Sequence, residues 1–572
     1  MAMFSIRSRD YAALLKDERL RFGLLFLFIA ILFILRRPDA ITNPQFWAED
    51  AVLIFRDQFL QGGLTPIFEP YKGYFIVNTR LVGAFASLFP LLWEPLIYNL
   101  AAICIAALAC SMFSLRCYRG LMASDNLRRA CCIVAACALY TESLVDNLAN
   151  TQWYLALIGL LVLIRPASCD KQSSWWRVSI LMLLSGLATL TNPALVVTVP
   201  FALWAAVFRQ GKTRAVPLVT LAGCGVQLVC FFNSSSAAVT NRLQVDQLLA
   251  ALVISNTYKV LISSLLGVRA AISASVNDLG GFILAAIVVG AAWLVWLWLH
   301  LGWSKRRQMA IALYLSVGFV LAALQGRDLS PLFATVTGLP DQREEQYFFL
   351  SSCLLVFLVA LTVEETLKGP FAKFQPLALL ALFSAGLMVN FRVPPLIDMH
   401  WPEEAREIAD WRADRIKGNF ATIVSASINP PGWILHFSPP PFRKAVLTGG
   451  AGDTRLRIED ASGWSSSVSV GAWRSAPDGS YLLLPAIFGD KARYLVRADV
   501  CSVGTERETI SLYVHGKMSQ SALSGSPPET IASGCVWIGT EFTTDALESM
   551  CVHLREHPNT SENVKKLIIE RR

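Results

Sequence analysis

Residues 22–50 read FGLLFLFIAILFILRRPDAITNPQFWAED, an unbroken apolar run that stops at two arginines and leads to Glu49 and Asp50. The run Phe22–Leu35 is typical of a membrane-spanning helix whose flanks complete the length that a bilayer requires. Acidic side chains beside a bilayer are costly unless they are solvated or needed for function. Glu49 and Asp50 are therefore the first candidates for functional side chains.

Similar apolar runs recur along the chain, which has 572 residues, is 54% hydrophobic and only 16% charged. Soluble domains carry about 25% charged residues, so the composition predicts a polytopic membrane protein and excludes a soluble one. The net charge of +8 does not indicate a nucleic-acid partner, because the basic residues lie in short loops between apolar runs. The cysteines show no CxxC and no Cys/His metal spacing. The sequence therefore indicates no required cofactor; a divalent metal is compatible with it but is not indicated.

Eleven apolar runs predict an α-helical fold with about eleven spans. The runs are Phe22–Leu35, Leu96–Leu115, Ala130–Tyr140, Tyr154–Ile164, Val178–Leu190, Ala194–Phe208, Ala215–Phe232, Leu279–Leu301, Met309–Leu324, Tyr347–Val363 and Leu377–Val389. The segment Tyr74–Pro90 is also apolar but contains Asn78 and Arg80, which favours a re-entrant or interfacial helix.

The basic residues predict the orientation, because cytoplasmic loops carry an excess of Lys and Arg. With the N-terminus in the cytoplasm, 20 Lys and Arg fall in inside segments and 9 fall in the outside loops that precede the C-terminal region. One of those outside loops runs from about residue 233 to 278 and holds Arg242, Lys259 and Arg269. The sequence therefore predicts an integral membrane protein with a cytoplasmic N-terminus and an external C-terminal domain. It does not settle the organism, but a bacterial inner membrane, with this domain in the periplasm, fits best.

Composition changes near residue 391, which predicts a membrane domain over 1–390, with a long first external loop at 36–95, and an extracytoplasmic domain over 391–572. Pro402–Lys417 predicts a helix, with proline at its start and Gly418 at its end. Four runs bounded by turn residues predict a β-rich, sandwich-like fold: Thr422–Ile428, Tyr481–Ile487, Arg493–Val500 and Thr509–His515. An oxidising compartment would allow one disulfide among Cys501, Cys535 and Cys551, and we expect Cys501–Cys535.

Four basic side chains are candidates for binding a phosphate, because the arginine fork matches phosphate oxygens and lysine supplies a compact charge. They are Arg327, Arg343, Arg80 and Lys72. The alternative for Arg327 and Arg343 is an ion pair with the acid that follows each of them.

A second polar set lies farther along the external segments. Glu142, Asp146 and Asn150 are spaced i, i+4, i+8, so on a helix they would share one face, with Trp153 close to the same line. Acids and amides bind sugar hydroxyls, and an aromatic face binds a sugar ring. Two more candidates for this sugar or acceptor site are Asn192 and Tyr347. The alternatives are a solvated acidic loop and, for Asn192, a simple helix break before proline.

Together these features resemble the GT-C superfamily of integral-membrane glycosyltransferases. The resemblance rests on the many spans, the long first external loop, the motif Phe46-Trp47-Ala48-Glu49-Asp50 after the first helix, and the C-terminal external domain. Many relatives have Asp-Asp or Asp-x-Asp where this chain has Glu-Asp.

The resemblance implies a hexosyl- or pentosyltransferase that moves a sugar from a polyprenyl-phosphate donor, held among membrane lipid, to a glycan or glycolipid acceptor. The catalytic residues would be Asp50 and Glu49, and we expect Asp50 to be the general base. The chemistry is reasonable by itself, since a hydroxyl is a poor nucleophile and a carboxylate within hydrogen-bond reach can take its proton.

Three other functions stay open at this point, and one of them is a non-enzymatic protein of cell-surface assembly. A transporter or flippase of lipid-linked sugars would need polar groups at the membrane midplane, open to each face in turn. An O-antigen ligase or polymerase would share the lipid-linked substrates but relies on large external loops rich in arginine. The spans of this chain are nearly free of charge, which favours the transferase.

Overall fold

The computed structural model describes residues 17–139, 144–166, 174–234, 245–276, 280–326, 345–416 and 424–437, and beyond these the backbone of the strands given below. It divides into two compact units. The first comprises Met1–Met399 with Ile428–Pro431, and the second comprises His400–Ser427 with Gly432–Arg572.

The first unit is helical. Its α-helices are α1 Glu18–Arg36, α2 Asp39–Thr42, α3 Arg56–Gln61, α4 Val77–Ala86, α5 Glu94–Ser111, α6 Asp125–Cys137, α7 Thr151–Ile164, α8 Trp175–Thr189, α9 Val199–Phe208, α10 Ala215–Asn233, α11 Val245–Ser255, α12 Ser263–Leu265, α13 Val268–Val276, α14 Gly280–His300, α15 Trp303–Gly326, α16 Phe349–Thr366, α17 Gln375–Leu382 and α18 Ser384–Asn390. Two π-helical segments, Asp50–Phe55 and Asn256–Ile262, lead directly into α3 and α12.

Five helical stretches among the described residues are long and apolar enough to cross a membrane: Leu91–Ser114, Gly211–Asn233, Leu248–Leu265, Trp303–Leu324 and Gln346–Thr366. Two bent pairs of helices raise the number to seven if each pair is one span. The chain is thus a polytopic membrane protein, and its described residues hold five to seven candidate spans where the sequence predicted about eleven. The main reason is length, because apolar runs such as the one in α7 form helices of only 14 residues.

One apolar helix was missed from the sequence. Leu248–Leu265 lies in the stretch that was predicted to be an external loop. Asn256, Thr257 and Ser263 interrupt its apolar pattern, and polar residues at this spacing are typical of a loop. In the structure each of these side chains donates a hydrogen bond to the carbonyl four residues earlier, so the polar groups are satisfied within the helix. This additional helix changes the number of membrane crossings. The sidedness that was predicted for the segments after Leu265 therefore no longer follows from the count of spans.

Helices α8 and α9 were predicted to be separate spans and instead form a bent pair with an angle of 118°. The corner lies at Thr191–Pro193. Asn192 caps the 3-10 turn after the corner by accepting a hydrogen bond from the backbone N–H of Ala194 at 2.9 Å, and its amide donates to the carbonyl of Gln152 at 3.1 Å. A capping asparagine followed by proline explains why the helix direction changes here.

Arg36 joins three helices at the end of α1. Its buried guanidinium donates to the carbonyls of Ala136 and Leu139, at the end of α6, and to that of Asn390, at the end of α18. Carbonyls at helix C-termini lack partners within the helix and carry partial negative charge. Arg36, which the charge count places in an outside loop, therefore fixes the end of the first helix before the acidic motif.

The second unit contains α19 Trp401–Ile416, which matches the helix predicted over Pro402–Lys417. Its strands are β1 Val424–Ile428, β2 Trp433–Phe437, β3 Phe442–Thr448, β4 Thr454–Asp460, β5 Ser465–Val470, β6 Arg474–Ala476, β7 Gly479–Leu484, β8 Ala492–Ser502, β9 Glu508–Gly516, β10 Ser524–Gly525, β11 Glu529–Ile531, β12 Gly534–Thr544, β13 Met550–Arg555 and β14 Val564–Arg571. The four strands expected from the sequence correspond to β1, β7, β8 and β9.

The strands form antiparallel sheets. One sheet has the order β10-β9-β13-β7-β6, with β11 also paired to β9, and another has the order β12-β8-β14-β3-β4-β5. Cys535 on β12 lies directly opposite Cys501 on β8. Directly opposed antiparallel residues have Cα atoms about 4.5–5.5 Å apart, within the range that a disulfide requires. The backbone register is therefore compatible with the expected Cys501–Cys535 bond.

Candidate functional site

Asp50 is held by two backbone N–H groups. One carboxylate oxygen accepts from Ala149 at 2.6 Å and the other from Leu148 at 3.0 Å. Both donors lie just before the N-terminus of α7, where the helix dipole also favours a negative charge. The side chain is 1% exposed. The acid at the end of the first helix is therefore tied to the loop before α7.

Burial raises the pKa of Asp50 from 3.8 to about 7, because desolvation of the carboxylate outweighs the two N–H hydrogen bonds. The neighbouring charge of Glu49 raises the pKa further. A carboxyl group that titrates near neutral pH is able to take and release a proton under working conditions.

The backbone on the other side of the motif is fixed as well. The N–H of Ala48 donates to the carbonyl of Asn429 at 2.5 Å, and the N–H of Asn429 donates to the carbonyl of Phe46 at 3.3 Å. Ala48 has a φ of +24°, a left-handed conformation that costs energy for a residue with a side chain. Because strained backbone persists only where its surroundings enforce it, this geometry marks Trp47–Asp50 as a rigid, specified segment.

Glu49 and Asp50 differ in exposure. Asp50 was expected to be the general base, which must reach the acceptor hydroxyl, and is instead buried with both oxygens hydrogen-bonded. Glu49 is only partly buried, and among the described residues it makes no hydrogen bond or ion pair. The physical reason is the π-helical turn that begins at Asp50 and directs it toward α7. Glu49 is therefore the more exposed acid of the pair.

Asp146 is a third carboxyl group near this region. It is 5% exposed, and neither of its oxygens has a hydrogen-bond partner. Burial raises its pKa from 3.8 to about 8, against the opposing charges of Arg37 and Arg36. The predicted helix through Glu142, Asp146 and Asn150 is wrong for the described part, because residues 144–150 form turns and Asp146 has a φ of +59°. Asp146 and Asn150 therefore do not share a helix face.

The first loop is hydrogen-bonded to several neighbouring elements. Gln227 on α10 exchanges two hydrogen bonds with the backbone of Phe75, at 2.8 and 3.0 Å. The N–H of Asn78 donates to Thr191 at the α8–α9 corner, and the N–H of Val77 donates to the carbonyl of Leu190. The first loop therefore contacts the α6–α7 loop through Asp50 and the α8–α9 corner through Val77 and Asn78.

Two of the four residues predicted to bind a phosphate lie among the described residues. Arg80 is buried and forms an ion pair with Asp57 at 2.8 Å, so its charge is used within the loop, contrary to the open position expected. Lys72 is exposed on the turn between Tyr71 and Tyr74, with its ammonium 5.3 Å from the Tyr71 ring centre. Arg327 and Arg343 lie outside the described residues.

The residues predicted to bind a sugar or acceptor differ in where the structure places them. Trp153 packs edge-on against Tyr347 with ring centres 5.2 Å apart, which brings these two predicted residues together. Asn192 is a buried helix cap, so the helix-break alternative describes it and a ligand contact does not. Asn150 is partly buried, and its backbone N–H donates to Asn147. Glu142 lies outside the described residues.

Several buried polar atoms around the first loop have no hydrogen-bond partner, which is unusual in a folded protein unless a ligand or water completes them. They are Nδ2 of Asn78, Oη of Tyr98, Nε1 of Trp153 and both carboxylate oxygens of Asp146. Tyr98 contacts the motif directly, with its ring centre 5.2 Å from that of Phe46. Tyr98 was not identified from the sequence, because within an apolar run it is indistinguishable from a core aromatic residue.

Fold and site together define a polytopic membrane protein with a rigid, carboxylate-bearing first loop. Among the described residues no group of three or more His, Cys, Asp or Glu side chains is arranged to hold a metal ion.

Comparison with known proteins gives little further information. No family model matches the chain, and no curated protein matches it. Among solved structures, the chain is similar to the arabinosyltransferase EmbB from Mycobacterium smegmatis, with 12% sequence identity and a TM-score of 0.26. The match covers 100% of this chain and 65% of that one, so this chain spans less than two thirds of its length. A likeness at this level supports no conclusion about fold or activity.

Proposed function

We propose that this protein is a membrane glycosyltransferase of the GT-C type, which transfers a sugar from a polyprenyl-phosphate donor to an acceptor hydroxyl on the extracytoplasmic face. The observation that carries the proposal is the pair Glu49–Asp50 on a rigid loop at the end of the first helix. One acid is partly exposed, and the other is buried with a pKa of about 7.

The two acids have different roles in this proposal. Glu49 is the general base, because it is the member of the pair that a substrate can reach. Asp50 is a positioning residue, since its hydrogen bonds to Leu148 and Ala149 hold the motif against α7. This reverses the assignment expected from the sequence, in which Asp50 was favoured as the base.

The proposed reaction is a single displacement at the anomeric carbon. The carboxylate of Glu49 takes the proton of the acceptor hydroxyl as its oxygen forms a bond to that carbon. The bond from the carbon to the donor phosphate oxygen breaks, and the polyprenyl phosphate leaves with the electron pair. Phosphate is already a good leaving group, and a cation near it stabilises the charge that develops. Lys72 is the exposed candidate among the described residues, with Arg327 and Arg343 as further ones.

The assignment to the extracytoplasmic face is supported by the ends of the helices. The Asp50 contact lies at the N-terminal end of α7, whereas Arg165 follows its C-terminal end. Arg116 and Arg119 likewise follow the C-terminal end of α5. Basic residues concentrate on the cytoplasmic side, so the carboxylate end is the opposite one. The β-strands of the second unit, which we propose to be sandwich-like and periplasmic, would bind the acceptor glycan.

The test is donor cleavage by purified protein in lipid nanodiscs, with a panel of undecaprenyl-phosphate-linked hexoses and pentoses as substrates. Loss of a general base lowers the rate by about 10²–10⁴-fold, so Glu49→Gln is expected to lose this much activity while its thermal stability is unchanged. Asp50→Asn is expected to lose both activity and stability, because an amide cannot accept both N–H groups.

The matched control is Glu69→Gln, a first-loop acid whose described contact is a hydrogen bond with Gln61 at 3.0 Å. It should retain activity. Full donor cleavage in both Glu49→Gln and Asp50→Asn would refute the proposed site. Movement of intact donor across liposomes, with no release of polyprenyl phosphate, would identify a flippase instead.

A further inference from the structure

Asn429 lies in the turn between β1 and β2, far along the sequence from the acidic motif. Residues Ile428–Pro431 nevertheless group with the membrane unit, whereas the chain before and after them belongs to the second unit. Asn429 is 1% exposed, although residues in turns usually lie at the surface. A buried polar side chain needs hydrogen-bond partners, and those of Asn429 connect it to the motif.

The backbone of Asn429 pairs with the motif on both sides of Trp47, in a parallel β-bridge. Its carbonyl accepts from the N–H of Ala48 at 2.5 Å, and its own N–H donates to the carbonyl of Phe46 at 3.3 Å. Ala48 has a φ of +24°, and strained backbone persists only where its surroundings enforce it. The bond from the Ala48 N–H makes Asn429 a contact that enforces this conformation.

The side chain of Asn429 makes a second pair of hydrogen bonds. Its amide nitrogen donates to the carbonyl of Ile397 at 2.8 Å, and its amide oxygen accepts from the N–H of Ile397 at 3.1 Å. A carboxamide presents a donor and an acceptor side by side, whereas an ionised aspartate has acceptors only and alanine has neither. The residue type at this position therefore matters as well as its backbone.

The segment that receives this side chain is bonded in turn to residues just before the motif. The N–H of Leu396 donates to the carboxylate of Asp39 at 2.9 Å, and the N–H of Met399 donates to the side-chain oxygen of Gln45 at 3.2 Å. Asn429 thus joins the motif, through its backbone, to this segment, through its side chain. The three parts form one hydrogen-bonded support for the acidic motif.

We propose that Asn429 is a positioning residue of the reaction, which holds Trp47–Glu49 so that the Glu49 carboxylate stays within reach of the acceptor hydroxyl. The inference rests on the proposed function, because it takes Glu49 as the base. Without its side-chain bonds Asn429 is free to shift, Ala48 relaxes from its strained conformation, and Glu49 moves with it. A displacement of about 1 Å in a reacting group costs about 10²-fold in rate. Asn429 is too buried to touch a substrate, so the loss falls on kcat and spares donor binding.

The first test is hydrogen–deuterium exchange of the full-length protein in nanodiscs, compared with Asn429→Ala and Asn429→Asp. Peptides that cover residues 46–50 are expected to exchange about tenfold faster in each variant, because the Ala48 amide loses its protection. Asn429→Asp keeps the size of the side chain and removes only the donor, so it serves if the alanine variant does not fold. Ser427→Ala is the matched control on β1, because Ser427 is exposed, and it should leave this exchange unchanged.

The second test is donor cleavage by the same variants. The kcat is expected to fall by about 10²-fold while the KM for the donor stays within about twofold. Unchanged exchange in a folded variant would refute the inference, even where Glu49→Gln has confirmed the proposed function. A change confined to KM, or faster exchange with undiminished cleavage, would also overturn it. If the natural protein cleaves no donor, the proposed function fails by itself, and the exchange measurement still decides whether Asn429 holds the motif.

Discussion

Two adjacent acids in this chain occupy different environments, and the difference arises within one turn of backbone. The π-helical turn that begins at Asp50 points its side chain at two N–H groups before α7, while Glu49 stays at the surface of the loop. An acid with occupied oxygens and little exposure fixes structure, whereas a neighbouring acid with access can react. This division is what makes the pair useful for proton transfer in the proposed reaction.

The raised pKa of Asp50 predicts how stability depends on pH. In the unfolded chain this group ionises near 3.8, and in the folded protein near 7. Between these values the folded state holds one proton more, so the contribution of Asp50 to stability falls as pH rises from about 4 to about 7. The slope for one proton is about 1.4 kcal/mol per pH unit. Thermal unfolding from pH 5 to 8 should therefore show a smaller loss of stability with pH in Asp50→Asn than in the natural protein.

Burial raises the pKa of Asp146 to about 8. Its contribution to stability therefore also falls as the pH rises, and it continues to fall up to about pH 8. Asp146→Asn serves as the companion variant, and it should flatten the upper part of the profile. Identical profiles in all three proteins would show that neither group is buried in solution as described.

For individual residues, the sequence predicted which side chains are candidates for function but not what surrounds them. The acidic pair was recognisable because acids beside an apolar run are rare. Burial of Asp50 depends on the loop before α7, which is about a hundred residues away in sequence, and no local pattern reports such a contact. Arg36 is a similar case, because a pair of arginines after a span is usual at a membrane surface, and only the three helix ends reveal its structural role.

Among the helices, the close approach of α8 and α10 fixes the corner on which the first loop rests. Gly223 on α10 faces Thr189, and a Cβ added at Gly223 would lie 2.8 Å from the Cβ of Thr189. Overpacking of a tight contact costs about 1–3 kcal/mol, which exceeds the gain in helix propensity from glycine to alanine. Gly223→Ala is therefore expected to lower the melting temperature in detergent.

Gly225 provides the control for this prediction. It lies two residues along the same helix, and an added Cβ would meet nothing within 4 Å. Gly225→Ala should be neutral or slightly stabilising, since alanine favours the helix. Equal melting temperatures for the two variants would mean that α8 and α10 are not packed as closely as described.

The helices also show where hydropathy stops being informative. Long apolar runs such as Gly211–Asn233 were placed correctly because length alone identifies them. Leu248–Leu265 was missed because its polar residues bond within the helix, which a sequence window records as a break. The 118° bend between α8 and α9 was missed because a capping asparagine before proline is equally typical of a loop between two spans.

At the scale of the membrane unit, the acidic motif and the arginines that follow α7 and α9 lie at opposite ends of α7. The carboxyl groups of Asp50 and Asp146 lie where α7 begins, and Arg165 and Arg209 lie where α7 ends. This separation does not depend on how many spans the chain has. It is therefore a sounder basis for orientation than the count of eleven, which the missed helix and the bent pair both alter.

The separation predicts that two exposed glycine turns lie on opposite sides of the membrane. Gly63, in the first loop, and Gly211, before α10, have φ values of +61° and +62°, and neither has a neighbour within 4 Å of an added Cβ. A protease recognition site inserted after either residue should be tolerated. In bacterial spheroplasts, external protease should cut the full-length protein at Gly63 and leave the Gly211 insertion intact, and in inverted membrane vesicles the result should be reversed. Cleavage of both insertions from the same side would place the acidic motif and the Arg165–Arg209 end of α7 on one face, and the proposed extracytoplasmic reaction would have to be abandoned.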